Sequence, residues 1–249
     1  MIMIQLEAVH KAFGTQQVLN GIDLKIPQGK ITVIIGRSGE GKSVLLKTIL
    51  GLIKPDSGRV LIDGVDFFAS SSSEQKVLRA KFGMLFQNAA LFDSMNVEDN
   101  VAFPLREHTE LSEEEILKKV EQRLADVGLK NIGHKMPSVL SGGMRKRVGL
   151  ARALMLEPEI ILYDEPTTGL DPLLTDSIDN LIVETQKAFN LTSVVISHDI
   201  KATMKIADNI AMLHEGKILE EGPPEQFSQT KHPFIQKFLS GKADRDFIG

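Results

Sequence analysis

Apolar residues fall into short dense runs over the first quarter of the chain, each bounded by polar or turn-forming residues. Leu6 to Val9, Gln17 to Leu24, Ile31 to Ile35 and Arg59 to Ile62 have the length and β-branched content of strands, and Asp63-Gly64 adds a hairpin signal. Together they predict an antiparallel β lobe, with Ile31-Thr32-Val33-Ile34-Ile35 reading as a buried strand and Val44 to Leu50 as the helix after it.

The period then changes. Ser70 to Ser73 is a low-complexity surface connection, and Ser71 with Glu74 has capping-box spacing for a helix running towards Arg79. Ser112 and Glu115 repeat that spacing, and Ile116, Leu117, Val120, Leu124 and Val127 recur on one helical face until Gly128 supplies a stop. A further helix is expected after Ser141-Gly142-Gly143, so residues 88–157 read as a mostly helical insertion, with Pro158 marking the return to strands. Strand (Ile160 to Tyr163), helix (Pro172 to Ala188), strand (Ser193 to Ser197), helix (Ile200 to Ala207) and strands Ile210 to Leu213 and Lys217 to Glu220 follow. Such alternation predicts an α/β fold with a mainly parallel sheet and helices on both faces.

Composition narrows the class. A net charge of −4 and a pI near 5.9 argue against a nucleic-acid partner, which usually needs a strongly basic face. With no cysteine, disulfides, thiol nucleophiles and thiolate metal sites are excluded. No apolar stretch reaches the 18 or more residues of a membrane span and no signal core opens the chain, so a soluble, cytosolic protein is expected.

Gly36-Arg37-Ser38-Gly39-Glu40-Gly41-Lys42-Ser43 fills the G-x-x-x-x-G-K-[ST] pattern between the buried strand and the helix, which is the context a phosphate-binding loop requires. Glycine lets consecutive backbone N–H groups converge on one anion, and the helix N-terminus adds its positive dipole end. The expected nucleotide contacts are Gly36, Ser38, Gly39, Gly41, Lys42 and Ser43, with Lys42 reaching the β- and γ-phosphates and the Ser43 hydroxyl ligating Mg²⁺.

Ile160 to Tyr163 leads into Asp164-Glu165, two carboxylates at the carboxyl edge of a parallel sheet. Because adjacent strand residues point to opposite faces, Asp164 is expected to support Mg²⁺ while Glu165 turns towards an attacking water as general base. Leu140-Ser141-Gly142-Gly143-Met144, ahead of Arg145-Lys146-Arg147, is a second helix start with a hydroxyl and two glycines but no phosphate-reaching lysine.

The order and spacing of these three motifs resemble the nucleotide-binding subunits of ABC transporters, over nearly the whole chain. The resemblance implies a P-loop NTPase of the ABC type: an antiparallel β lobe and RecA-like core over residues 1–87 and 158–240, a helical subdomain over 88–157, and a tail at 241–249. It implies a head-to-tail dimer with ATP between Lys42 of one copy and Ser141, Gly142 and Gly143 of the other. Phe13 matches the aromatic that stacks on adenine, Gln87 the loop glutamine near Mg²⁺ and the membrane subunit, and His198 the switch histidine that contacts the γ-phosphate. Asp171 matches the acid that communicates between subunits and has equally a plain helix-capping explanation. The five other histidines, such as His108 and His232, read as solvated surface groups.

Met144 departs from the general ABC pattern, which has Gln there, and a thioether cannot supply the same hydrogen bonds. Leu-Ser-Gly-Gly-Met-Arg-Lys-Arg, with the segments Leu85 to Val97 and Asn100 to His108, resembles the MlaF-like ATPases of MCE-linked phospholipid transporters. That branch implies a peripheral subunit on the cytoplasmic side of an inner membrane, partnered by an MlaE-like permease and through it by an MlaD-like MCE protein, and it leaves open a small regulatory subunit. The alternatives are an ATPase for another solute importer and a non-transport ABC ATPase. Gly241 to Gly249 reads as a disordered end or as a segment docking on the other protomer.

Overall fold

Strand β1 (Ile2–Phe13) pairs antiparallel with β2 (Gln16–Pro27) and β4 (Ser57–Ile62), and β5 (Val65–Asp66) completes a four-stranded sheet in the order β2-β1-β4-β5. The turn from β4 to β5 places Asp63 at φ 52° and Gly64 at φ 78°, the left-handed pair that a tight hairpin needs. Both long strands outrun their apolar stretches, because ladder pairing continues through polar partners such as Gln5 with Lys25 and His10 with Asn20. The computed structural model describes residues 1–240; the expectation for the tail, Gly241 to Gly249, lies outside the described residues.

The second sheet holds β3 (Ile31–Ile35), β6 (Phe82–Leu85), β7 (Ile160–Asp164), β8 (Thr192–Ser197), β9 (Asn209–His214) and β10 (Lys217–Gly222) in the order β10-β9-β3-β8-β7-β6. All its pairs are parallel except β9 with β10, which a tight turn at Glu215-Gly216 makes an antiparallel edge. Both faces are buried. Val33, Ile35, Ile161, Tyr163 and Val195 face one core, and Ile34, Ile160, Leu162, Val194 and Ile196 face the other, as the two-residue period of a strand dictates. Each such side chain contributes about 1.5–3 kcal/mol of burial, set against chain entropy.

The helices are α1 (Lys42–Ile49), α2 (Ser72–Ala80), α3 (Val97–His108), α4 (Glu113–Asp126), α5 (Gly142–Ala153), α6 (Pro172–Phe189), α7 (Ile200–Ile206), α8 (Pro224–Ser228) and α9 (Pro233–Ser240). Both capping boxes form: the Ser71 and Ser112 hydroxyls accept from the Glu74 and Glu115 amides, and each glutamate accepts from its serine's amide in return. Helix α3 has no separate expectation in the sequence, since Pro104 sits inside it; Asn96 caps it instead by accepting from the Asp99 amide. Buried Asn100 donates to the carbonyls of Phe92, Met95 and Asn96, which ties the segment after β6 to α3.

Helix α5 lies close on β6 because Gly149 lacks a side chain: a Cβ there would stand 2.8 Å from Leu85 Cδ1 and 3.0 Å from Ala89 Cβ. One apolar core therefore runs from Val97, Val120 and Val148 of the helical segment to Val33 and Ile161 of the sheet. Among the described residues no helix is long and apolar enough to cross a membrane.

Candidate active site

Strands β9, β3, β8, β7 and β6 run in one direction, so the chain leaves all five at one sheet edge. That edge is where open α/β sheets bind ligands. The motif residues emerge there: the Gly36 loop after β3, His198 after β8, Asp164 and Glu165 at β7, and Gln87 after β6.

Three glycines shape the loop for different reasons. Gly36 is pressed on β9, where a Cβ would meet the Leu213 carbonyl oxygen at 2.4 Å. Gly39 has open space but φ 81°, and Gly41 has both φ 94° and Val18 Cγ1 only 2.7 Å from a hypothetical Cβ. Gly41 is the N-cap of α1 without any capping side chain, and the first turn carries no acidic residue, so the positive helix end is left for an anion. Lys42 is buried and donates Nζ to the Gly36 carbonyl at 2.9 Å and the Arg37 carbonyl at 2.7 Å. Burial lowers its pKa, opposed by the charges of Glu165, Glu40 and Asp164.

Ser43 Oγ donates to Asp164 Oδ1 at 3.3 Å, joining the loop to β7. Burial raises the Asp164 pKa; the Ser43 bond opposes this, and the neighbouring Glu165 charge adds to it. Glu165 does not diverge from Asp164 by strand pleating, contrary to the expected alternation. The strand ends at Asp164, and Glu165 turns left-handed at φ 46°, a geometry that costs about 1–3 kcal/mol. Its amide donates to the Ile196 carbonyl at 3.1 Å, and its Oε2 accepts from Thr168 Oγ1 at 2.9 Å. Gln87 Nε2 and His198 Nδ1 each stand 3.5 Å from the same oxygen.

Lys146 is the group that sequence reading passed over. It is buried, and its ammonium donates to the carbonyls of Gln87 and of Glu165, the latter at 3.5 Å. Burial pushes its pKa down to about 8, with Glu165 and Asp164 opposing. The available signal was its register, since Gly143, Lys146, Gly149 and Leu150 form the buried face of α5. Thr168, too, gave no sign in the sequence.

The remaining expected contacts lie elsewhere. Ser141 caps α5 by accepting from the Met144 amide at 3.3 Å. Gly142 and Gly143 admit Leu170 and Leu174, whose Cδ2 atoms would stand 3.0 and 3.2 Å from added Cβ atoms. Met144 is half-buried against the apolar core, so this position serves packing. Asp171, between those leucines, caps α6 through the Leu173 and Leu174 amides. Phe13 ends β1, half-exposed, with Lys11 Nζ 5.5 Å from its ring centre. Among the described residues no hydrogen bond or ion pair joins Phe13, Ser141 or Asp171 to the Lys42–Asp164–Glu165 group.

Two histidines depart from expectation, and the first, His10, is half-buried in the β1 ladder opposite Asn20. His214, grouped with solvated surface residues, is largely covered: it stacks on Phe234 with centroids 3.7 Å apart and meets Glu40 at 2.8 Å. His108, His134 and His232 are exposed.

Against known families, the model described as "ABC transporter" matches residues 19–168. The chain belongs to the ABC transporter family. It is 43% identical over 241 residues to the "Probable ribonucleotide transport ATP-binding protein mkl" of Mycobacterium tuberculosis, spanning 97% of this chain and 67% of that one. It is 42% identical over 242 residues to the "Intermembrane phospholipid transport system ATP-binding protein MlaF" of Escherichia coli K12, spanning 97% and 90%. The solved dimer of the ATP-binding cassette MJ0796 in a post-hydrolysis state with ADP and Pi superposes with a TM-score of 0.80 at 32% identity, over 89% of this chain and 99% of that one. This ABC cassette is accordingly an ATPase subunit of a transporter.

Proposed function

We propose that two copies of this ABC ATPase close head to tail on Mg²⁺-ATP and drive phospholipid movement between an inner membrane and an MCE protein through a permease. The catalytic part rests on Glu165, whose contacts with Thr168, Gln87 and His198 all fall on Oε2. Oε1 is then the oxygen to take a proton from water as it attacks the γ-phosphate. Lys42 exchanges its two loop carbonyls for phosphate oxygens, which offsets the burial of its charge. His198 and the other copy's Ser141 hydroxyl donate to the developing charge; Ser141 already accepts from the Met144 amide, so its O–H is the group to give. Phe13 supplies a stacking face for adenine, and Asp171 links the two copies.

The Ser43–Asp164 pair at the loop mouth, with Gln87 beside Glu165, suits a hydrated Mg²⁺ held partly by phosphates; among the described residues no cluster of three or more acidic or histidine ligands forms a closed cage. When bound, the ion neutralises charge between the β- and γ-phosphates.

The lipid substrate and the membrane partners rest on likeness to MlaF across 97% of the chain, together with Met144 after Leu-Ser-Gly-Gly. A relative named for ribonucleotide transport is equally similar, so the cargo needs a direct test. Tagged Glu165→Gln protein purified from native membranes with ATP and Mg²⁺ should bring down an MCE protein, its permease and phospholipid. A solute permease in their place refutes the lipid reading, and recovery without any membrane protein refutes the transport reading.

A further inference from the structure

Glu40 is an acidic residue inside a loop built to hold anions, and its carboxylate lies close enough to Lys42 to act on it electrostatically. Left free to swing, a carboxylate there would oppose a triphosphate as a like charge and compete for Lys42. It is not left free. Oε1 accepts from His214 Nδ1 at 2.8 Å and Oε2 accepts from the Glu215 amide at 2.6 Å, so both oxygens are held by the β9–β10 turn. Only about an eighth of the Glu40 side chain is exposed.

The turn that holds Glu40 is itself anchored twice. The Gly216 carbonyl accepts from the Asn20 amide of β2 at 2.7 Å, and the adjoining Leu213 carbonyl backs Gly36 at the other end of the loop. The His214 ring stacks on Phe234 of α9, at 3.7 Å between centroids and 18° between planes. Phe234 stacks in turn on Phe238 at 6.4 Å, and Ile235 beside it is fully buried. A continuous line of contacts therefore runs from α9 through one imidazole to the loop.

We propose that His214 and Phe234 are positioning residues that hold the Glu40 carboxylate away from the anion cradle, so that docking of α9 sets the affinity of the loop for nucleotide phosphates. The proposal rests on the reading of this loop as the ATP site. Loosening α9 releases His214, frees Glu40 and weakens phosphate binding without touching the groups that act on water.

The test is equilibrium binding of ATP, ADP and adenosine, each with Mg²⁺, to the full chain and to Phe234→Ala, His214→Ala and the double variant Phe234→Ala/Glu40→Gln. Like-charge repulsion at partly screened short range predicts an ATP Kd raised about tenfold in both single variants. The rise should be smaller for ADP and absent for adenosine, and the double variant should return ATP to within about twofold of the parent. His214 is the last residue of β9 and lies outside the apolar cores, so its alanine variant keeps the reading testable where Phe234→Ala fails to fold. Equal weakening for all three ligands, an unchanged ATP Kd, or no relief from Glu40→Gln overturns the proposal. Failure of the unaltered chain to bind ATP would instead refute the assignment of the loop.

Discussion

Replacing Lys146 with methionine should separate stability from turnover. The lysine is 5% exposed, and its ammonium pKa falls from an ordinary 10.5 to about 8, chiefly through burial. That fall corresponds to about 3 kcal/mol against the charged form, which solvent screening reduces to about 1–2 kcal/mol. Because the folded value lies below the unfolded one, the penalty is full below pH 8, shrinks as pH rises towards 10.5 and vanishes above it. Methionine removes that penalty at neutral pH and keeps the length of the side chain. It also forfeits charged hydrogen bonds to the Gln87 and Glu165 carbonyls, worth about 1.5–3 kcal/mol.

The two changes nearly cancel, so Lys146→Met should unfold in urea within about 1 kcal/mol of the parent at pH 7. Its kcat should nevertheless fall about 10- to 100-fold, since the Gln87 and Glu165 backbones lose a cation that draws on both, and small misplacements near reacting atoms cost on that scale. Steady-state phosphate release beside urea unfolding supplies both numbers. Unchanged kcat, or a fall matched by more than about 3 kcal/mol of lost stability, refutes a role in aligning the site.

Glu165→Gln should lower turnover about 10²- to 10⁴-fold while equilibrium ATP binding persists, as expected for loss of a general base; unchanged phosphate release would remove Glu165 from that role. His198→Ala should raise the barrier by about 3 kcal/mol, read as kcat, by losing one donor to the transition-state charge, and near-normal turnover would make His198 structural. Asp179 of α6 is buried, and its carboxyl is pushed up to about 6 by burial, with Lys205 opposing and Asp199 and Asp176 adding to it. Its raised folded value means that it contributes stability fully present below about pH 4 and lost as pH rises through 6. Asp179→Asn should thus gain about 1–2 kcal/mol over the parent at pH 7.5, after screening, and nothing at pH 4. Thermal unfolding at the two pH values checks it, and an equal difference at both would refute the assignment.

The features readable from sequence are those whose physics is local. A strand of four apolar residues and one threonine, a glycine loop and a Lys-Ser helix start specify each other within about twenty residues, so the phosphate loop needed no tertiary knowledge. Both capping boxes were legible for the same reason, since each hydroxyl and its carboxylate are three residues apart. Helix α3 was not, because its stabilising groups, buried Asn100 and the apolar face of Val97, Val101 and Leu105, are recognisable only once the core beneath them exists.

The site shows the same division more sharply. Asp164 and Glu165 could be placed at a sheet edge from the run before them, yet the rule of alternating faces failed at its last step because the strand stops one residue early. What orients Glu165 is a left-handed turn held by the Ile196 carbonyl and Thr168. His214 lies in no motif, and Lys146 stands inside the Leu-Ser-Gly-Gly-Met-Arg-Lys-Arg run with no role of its own assigned there. Each acquires its role by touching a backbone or a carboxylate 59 and 174 residues away in the chain. Such groups do not contact substrate, so substrate chemistry places no demand on their spacing, and a pattern search built on that chemistry passes over them. Charged residues lodged in the buried register of a helix, or on the strand turn behind a phosphate loop, are therefore where positioning should be sought in other cassettes of this family.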